Sequence, residues 1–187
     1  MEISDEALCE RVARRDTAAF DALVERYQQR AYRLAWSILR DAEDARDLSQ
    51  EAFIRLYESA GSFEGRAKFS TWFYRILVNL CLDHRRRHRW WGRIRGRANS
   101  EEGVDGVLDR QPAPDHPAVD GVVRQETMNR LWAAVDRLSP QQRATVILQA
   151  DGLPTSEIAV VLRCSEATVR VHLHRAVTAL KKTMRDG

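Results

Sequence analysis

Cysteine is scarce in this chain, and that scarcity excludes whole classes of protein. The three cysteines, Cys9, Cys81 and Cys164, are far apart, odd in number, and lack any CxxC or His/Cys spacing suited to a metal. A disulfide-stapled scaffold and a zinc module are both excluded, leaving free thiols in a reducing compartment. Long hydrophobic runs are missing too, since nothing approaches the roughly 18 apolar residues of a membrane span. The opening MEISDEALCE is acidic and has neither the basic leader nor the apolar stretch of a signal peptide. A cytoplasmic location without direct membrane insertion is therefore expected. There is no phosphate-binding glycine loop and no nucleophile paired with a base at recognisable spacing. Enzyme chemistry is not expected, and no cofactor is implied. His84, His88, His172 and His174 lie in basic helical stretches, where protein surface or DNA contact suits them.

What is present is a globular composition of 187 residues, 44% hydrophobic and 30% charged, enough for two small domains. The formal net charge of +3 is small, but charge is laid out in blocks that the sum hides. His84 to Arg97 holds seven arginines and no acid, whereas Glu101 to Asp120 holds six acids against Arg110 alone. Asp41 to Glu58 holds six acids against Arg46 and Arg55, and Arg163 to Lys182 holds five bases against Glu166. A single partner would not satisfy all of these surfaces.

Helical apolar spacing occurs almost throughout and strand alternation almost nowhere, so the expected class is all-α. Ser4 can cap a short helix with Leu8 and Val12 on one side. Thr17 can cap a long one with Phe20, Leu23, Tyr27, Leu34 and Ile38 inward. Asp41 starts a third, which Gly61 stops from the C-terminal cap position. After the loop SFEGRAKF, Ser70 or Thr71 can cap a helix through TWFYRILVNLCLDHRRR that is apolar on nearly every side and so belongs at the centre of a bundle.

Thirteen of the fourteen aromatics lie at or before Trp91, leaving Trp132 beyond it, so two differently built cores are expected. The stretch from about Trp90 to Asp120 is rich in Gly, Pro, Asp and Arg without sustained helical period, and reads as a linker. The expected layout is a first domain over residues 1–91, a linker over 92–120 and a second domain over 121–187.

The second domain opens with a helix holding Leu131, Trp132, Val135 and Leu138. Next, Ser139 as cap, Pro140 at the first helical position and Gln142 form a capping box, with Gly152 as the stop. A short helix, a tight turn at Arg163 and Cys164, and a longer basic helix capped by Ser165 then form a helix-turn-helix pattern. At about 100° per residue, Val169, Leu173, Ala176 and Leu180 share the buried face of that last helix. Ala167, Arg170, Val171 and His174 point away from it, Arg175 lies on the flank, and Lys181 and Lys182 extend the charge. An arginine at the start of such a helix can meet guanine edges, which makes Arg170 and His174 the base-reading candidates. A basic face of this kind is also common as plain solvated surface.

The ending SEATVRVHLHRAVTALK resembles region four of sigma-70-type factors, especially the extracytoplasmic-function group. In the first half, DARDLSQEAFIRLY resembles the region-two helix that docks on RNA polymerase, and FSTWFYRILVNLCLDHRRR resembles the adjoining promoter-melting helix. Together these stretches cover nearly all of the chain outside the linker and the first few residues.

The resemblance implies roles. Asp47, Gln50 and Glu51 would contact the coiled coil of the polymerase β′ clamp, and Asp47 and Glu51 share one helix face. The loop with Phe63, Arg66, Lys68, Phe69 and Ser70 would hold a flipped base of the minus-ten element, with Trp72, Arg75 and Asn79 nearby. Trp72, an aromatic at helical spacing, more often belongs to a core. Arg85, Arg86 and Arg87 would contact phosphates. Ala167, Thr168, Arg170, Val171, His174 and Arg175 would face the minus-thirty-five element. Implied partners are the polymerase core, through its β′ clamp and β flap, promoter DNA, and an anti-sigma factor. The acidic linker residues Glu101, Glu102, Asp105 and Asp109 would thread the RNA-exit path. Pro154, Val171 and His172 depart from the residues usual in the family, and Trp90 and Trp91 have no family role. Two other readings stay open: a stand-alone helix-turn-helix regulator with an N-terminal sensor or dimerisation module, and an interaction protein that sequesters polymerase or another sigma factor.

Overall fold

The computed structural model describes residues 3–96, 134–135 and 137–185, with only the backbone described at 89–96 and 183–185. The chain divides into two compact units, residues 1–111 and 112–187. All regular structure among the described residues is helical. The acidic stretch from Glu101 to Asp109, and Leu131 and Trp132, lie outside the described residues.

In the first unit α1 (Asp5–Ala13), α2 (Thr17–Leu39), α3 (Ala42–Ser59) and α4 (Phe69–Gly96) pack on one another, with a 3-10 turn at Ala60–Ser62 against α1 and α3. The first three helices each start for a local reason. Ser4 accepts from the Ala7 N–H at the start of α1, and Asp41 accepts from the Asp44 N–H at the start of α3. The cap of α2 is Asp16, accepting from the Ala19 N–H, and not Thr17, which is the first helical residue. A carboxylate one position earlier supplies the acceptor with full charge, so the hydroxyl is not needed there.

Two further expectations are corrected. Gly61 does not stop α3 in a left-handed cap, because the helix tightens into the 3-10 turn that contains it. The fourth helix starts at Phe69, ahead of Ser70 and Thr71, and its first N–H donates to Oε1 of Glu6 on α1 at 3.1 Å. A tertiary contact thus replaces the local cap. The helix also runs on to Gly96, beyond the start of the stretch read as linker. Arginine carries a helix well, and Gly92 costs only about 1 kcal/mol relative to alanine, which a 28-residue helix absorbs.

The core of this unit is Leu23, Leu34 and Ile38 from α2, Leu56 from α3, and Phe69, Phe73, Leu77 and Val78 from α4, all with essentially no exposure. Burying each such side chain contributes roughly 1.5–3 kcal/mol. The Tyr27 ring meets Phe69 and Phe73 edge-on at 5.3 and 5.6 Å, which gives the centre one defined packing.

The second unit holds α5 (Pro140–Ala150), α6 (Thr155–Leu162) and α7 (Glu166–Arg185) in mutual contact. The capping box at Ser139 and Gln142 forms in both directions, with Pro140 in the first turn. Gly152 adopts φ +87°, the left-handed conformation that ends α5. Between α6 and α7 the chain reverses at Arg163, φ 52°, where the Cys164 N–H donates to the Ala159 carbonyl at 3.1 Å. Ser165 then accepts from the Thr168 N–H at 3.1 Å and opens α7. Leu148, Ile158, Val161, Val169 and Ala176 are fully buried, so the short helix, turn and long helix form one packed helix-turn-helix. Leu173 and Leu180 lie at its edge, half-buried.

Candidate functional site

On α3 the buried side is Ala45, Ser49, Ala52, Phe53 and Leu56. Asp47 and Gln50 are exposed, Glu51 is half-buried, and Ile54 is 53% exposed. These four recur at intervals of three and four residues and therefore lie along one stripe of the helix. Glu51 is held by Arg55 at 2.8 Å. The stripe combines two carboxylates, an amide and an apolar tip, a composition suited to a basic partner surface with an apolar pocket. Ile54 was not singled out from the sequence; its signal is an aliphatic residue seven positions after Asp47 on an otherwise polar face.

At the border of this stripe, Oδ2 of Asp44 lies 3.0 Å from Nε2 of His84 on α4. The two are near enough for an ion pair when the ring is protonated, though not aligned as a hydrogen bond. His88 stacks on His84 at 6.1 Å.

The loop over residues 63–68 joins the 3-10 turn to α4. Gly65 provides its left-handed position at φ +69°. Arg66 and Lys68 are exposed and Phe63 is half-buried, its ring 5.3 Å from Trp72. Arg66 pairs with Glu64 at 2.6 Å, but both side chains are largely in solvent, so the pair yields readily to another anion. Ser70, Arg75 and Asn79 are half-buried, and Trp72, Arg75 and Asn79 fall on one side of α4.

Phe69 and Trp72 do not belong with the exposed set. Phe69 has no exposure and lies against Tyr27 and Phe73, while Trp72 is 9% exposed and packs between Phe63 and Phe69. Their faces are covered by other rings, so they support the loop from beneath instead of offering a surface to a base.

The three arginines expected on phosphates also divide. Arg85 donates to the Ile38 carbonyl at the end of α2, 2.7 Å away, and so serves the fold. Arg86 pairs with Asp83 one turn back, and Arg87 is exposed.

On α7, Ala167, Arg170, Val171, His174 and Arg175 are exposed, as are Lys181 and Lys182. Arg170 is drawn along the helix axis by Glu166 at 3.0 Å. Thr168 is half-buried, its hydroxyl 2.9 Å from that of Ser165, and so belongs to the cap. Val171 is 45% exposed and adds an apolar contact to the face, whereas His172 is turned partly inward. Pro154 stands at the N-cap of α6 without a side-chain cap bond. Two surfaces of opposite character thus coexist in one chain: an acidic stripe on α3 and a basic face on α7.

Comparison with known proteins shows the family. The family model for sigma-70 region 2 matches residues 23–91, and that for sigma-70 region 4 matches residues 128–180. The chain is 32% identical to the ECF RNA polymerase sigma factor SigW of Bacillus subtilis across the whole of both chains. It is 33% identical to the RNA polymerase sigma-H factor of Pseudomonas aeruginosa, covering 96% of this chain and 93% of that one. Among solved structures, the fold matches CnrH, determined in complex with the cytosolic domain of CnrY, with TM-score 0.67, 21% identity and 97% of each chain covered. It also matches the sigma factor RpoE of Bartonella quintana, determined with the anti-sigma factor NepR, with TM-score 0.66, 24% identity, and 89% and 96% covered. The chain belongs to the sigma-70 family, in its extracytoplasmic-function group.

Proposed function

We propose that this chain binds the core of bacterial RNA polymerase, directs it to particular promoters, and helps open them, acting in the cytoplasm and without catalysis of its own. The observation that carries the proposal is the acidic stripe of Asp47, Gln50 and Glu51, separate from the basic face of α7 in the second unit. A regulator that works alone needs the second surface but not the first. The stripe offers negative charge to the β′ clamp, where complementary potentials set register and association rate. The second unit would take the β flap.

Arg170 and His174 would read base edges of the minus-thirty-five element, with Ala167, Val171 and Arg175 beside them. Promoter opening needs a place for an unstacked base. Phe63, with Arg66, Lys68, Ser70, Arg75 and Asn79 around it, supplies an aromatic ring, polar groups and cations. Arg86 and Arg87 would follow the backbone. The layout of residues 1–91 and 121–187 as working domains, with 92–120 between them, belongs to the same proposal. An anti-sigma factor covering the α3 stripe would hold the chain inactive.

The test is reconstituted transcription from a genomic-fragment library with core polymerase alone, with the wild type, and with the double variant Asp47→Arg, Glu51→Arg. Initiation at defined sequences should appear with the wild type and vanish with the variant. No initiation, together with tight duplex binding by the chain alone, would establish the stand-alone regulator instead.

A further inference from the structure

The geometry points to α1 as the element that shapes the base-capturing loop, with Glu6 as its positioning residue. Both ends of the loop over residues 63–68 rest on this helix. The 3-10 turn before the loop packs on α1, and Phe69, immediately after it, donates its N–H to Oε1 of Glu6 across 63 residues of sequence.

The neighbouring acid fixes the helix itself. Asp5 accepts from the Tyr27 hydroxyl at 2.5 Å and from the Arg26 guanidinium at 2.6 Å, so the first turn of α1 is fastened to α2. The Tyr27 ring in turn meets the Phe69 ring edge-on at 5.3 Å. Asp5, Tyr27, Phe69 and Glu6 therefore form a closed ring of contacts around the first residue of α4.

Glu6 also stands where a helix would otherwise attract an anion. The first N–H groups of α4 have no partners within the helix, and the helix dipole favours negative charge there. With the carboxylate in that place, a DNA phosphate has no cause to settle at the helix end. It is left to the cations Arg66 and Lys68 on the loop and to half-buried Arg75 on α4. The consequence is a defined strand path: backbone outside, base toward Phe63. Nothing in the sequence near Glu6 suggests this, because its partner is far away along the chain.

The inference rests on the reading of the loop as a base-capturing site. Full-length protein assembled with core polymerase would be exposed to a randomised single-stranded DNA pool, and the bound fraction sequenced for base enrichment. Wild type, Glu6→Ala and Glu6→Gln would be compared, with thermal unfolding of each as the fold control. Glu6→Ala should flatten the enrichment at the captured base by roughly tenfold, the scale expected for one lost charge-assisted hydrogen bond. Glu6→Gln, whose carbonyl oxygen can accept the same N–H, should restore most of it. Enrichment unchanged in a folded Glu6→Ala protein overturns the role of Glu6 alone. If Glu6→Gln falls as far as Glu6→Ala, the bond is not what positions the loop. Absence of any enrichment in the wild type removes the loop reading, and this inference with it.

Discussion

The Arg85 guanidinium on α4 donates to the Ile38 carbonyl in the last turn of α2, at 2.7 Å. The final carbonyls of a helix lack donors within it, so this side chain satisfies one of them and ties two helices together. Arg85→Ala should therefore lower the stability of the first unit by about 1–3 kcal/mol. Arg87→Ala, at an exposed position, should leave thermal unfolding unchanged and reduce the salt slope of promoter binding by about one. Calorimetry and salt-dependent binding of the polymerase complex separate the two roles. An unaltered midpoint for Arg85→Ala would return Arg85 to the DNA-contacting set.

Phe63 and Phe69 flank the same loop but should respond oppositely to substitution. Phe69 is enclosed by Tyr27, Trp72 and Phe73, so Phe69→Ala should cost about 3–5 kcal/mol, whereas Phe69→Leu should remain folded. Phe63, half-buried, should tolerate Phe63→Leu with little loss of stability but weaken capture of single-stranded promoter DNA by about 1–3 kcal/mol, the usual worth of a base on an aromatic ring. Urea unfolding and oligonucleotide binding measure the two effects. A Phe69→Leu protein that unfolds normally yet loses base capture would contradict the placement of Phe69 as support.

Features governed by neighbouring residues were the legible ones. Ser4, Asp41, Ser139 and Gly152 act on backbone groups within a turn of themselves, and each does in the fold what its position suggests. Thr17, Gly61 and Ser70 failed because a competitor was nearby or distant: the Asp16 carboxylate, the 3-10 turn and Glu6 of another helix. The site divides in the same way. Helical spacing put Asp47 and Glu51 on one face and Arg170 and His174 away from the core, and it marked Trp72 as suited to a core, but it cannot tell that Phe69 is covered by other aromatics or that Arg85 finds a carbonyl on α2.

Ile54 gives a direct probe of the α3 stripe. It is 53% exposed and lies next to Asp47, Gln50 and Glu51 on the same side. Ile54→Glu should leave the thermal midpoint within experimental scatter, because no core contact is lost. It should weaken association with core polymerase by roughly tenfold or more, by placing a charge where an apolar tip would be desolvated. Competition binding with labelled protein would read this, and normal affinity would mean that the polymerase surface lies elsewhere on α3.

The thiols predict a pH dependence. Burial, followed by nearby carboxylates, pushes Cys9 up to about 11 and Cys81 up to about 12 from their ordinary 9.0. In the unfolded chain both would ionise near that ordinary value, so the folded state keeps protons that the unfolded state releases. Their contribution to stability is full below pH 9 and is lost as pH rises from there toward 12. Since the thiolate is the reactive form, an alkylating agent at pH 8 should modify half-buried Cys164 first, and the other two only on unfolding. Mass mapping after brief exposure to iodoacetamide tests this, and early modification of Cys81 would count against the packing of α4.

The cations of α7 should fall into two kinds when mutated singly. Arg170 is near the start of the helix, exposed, and held in line by Glu166, so its fork of donors can be presented to one base pair. Arg170→Ala should cost about 1–3 kcal/mol at the preferred promoter and relax the requirement at one position of the minus-thirty-five element. Lys181 and Lys182 lie farther along the helix and suit phosphates. Replacing either with alanine should weaken every promoter alike and shorten the salt slope by about one. Selection of promoters from a randomised minus-thirty-five library separates these outcomes, because a base contact changes the selected sequence and a phosphate contact changes only the yield. If Arg170→Ala selects the same sequence as the wild type at lower yield, Arg170 is a phosphate contact and base reading passes to His174 and Val171.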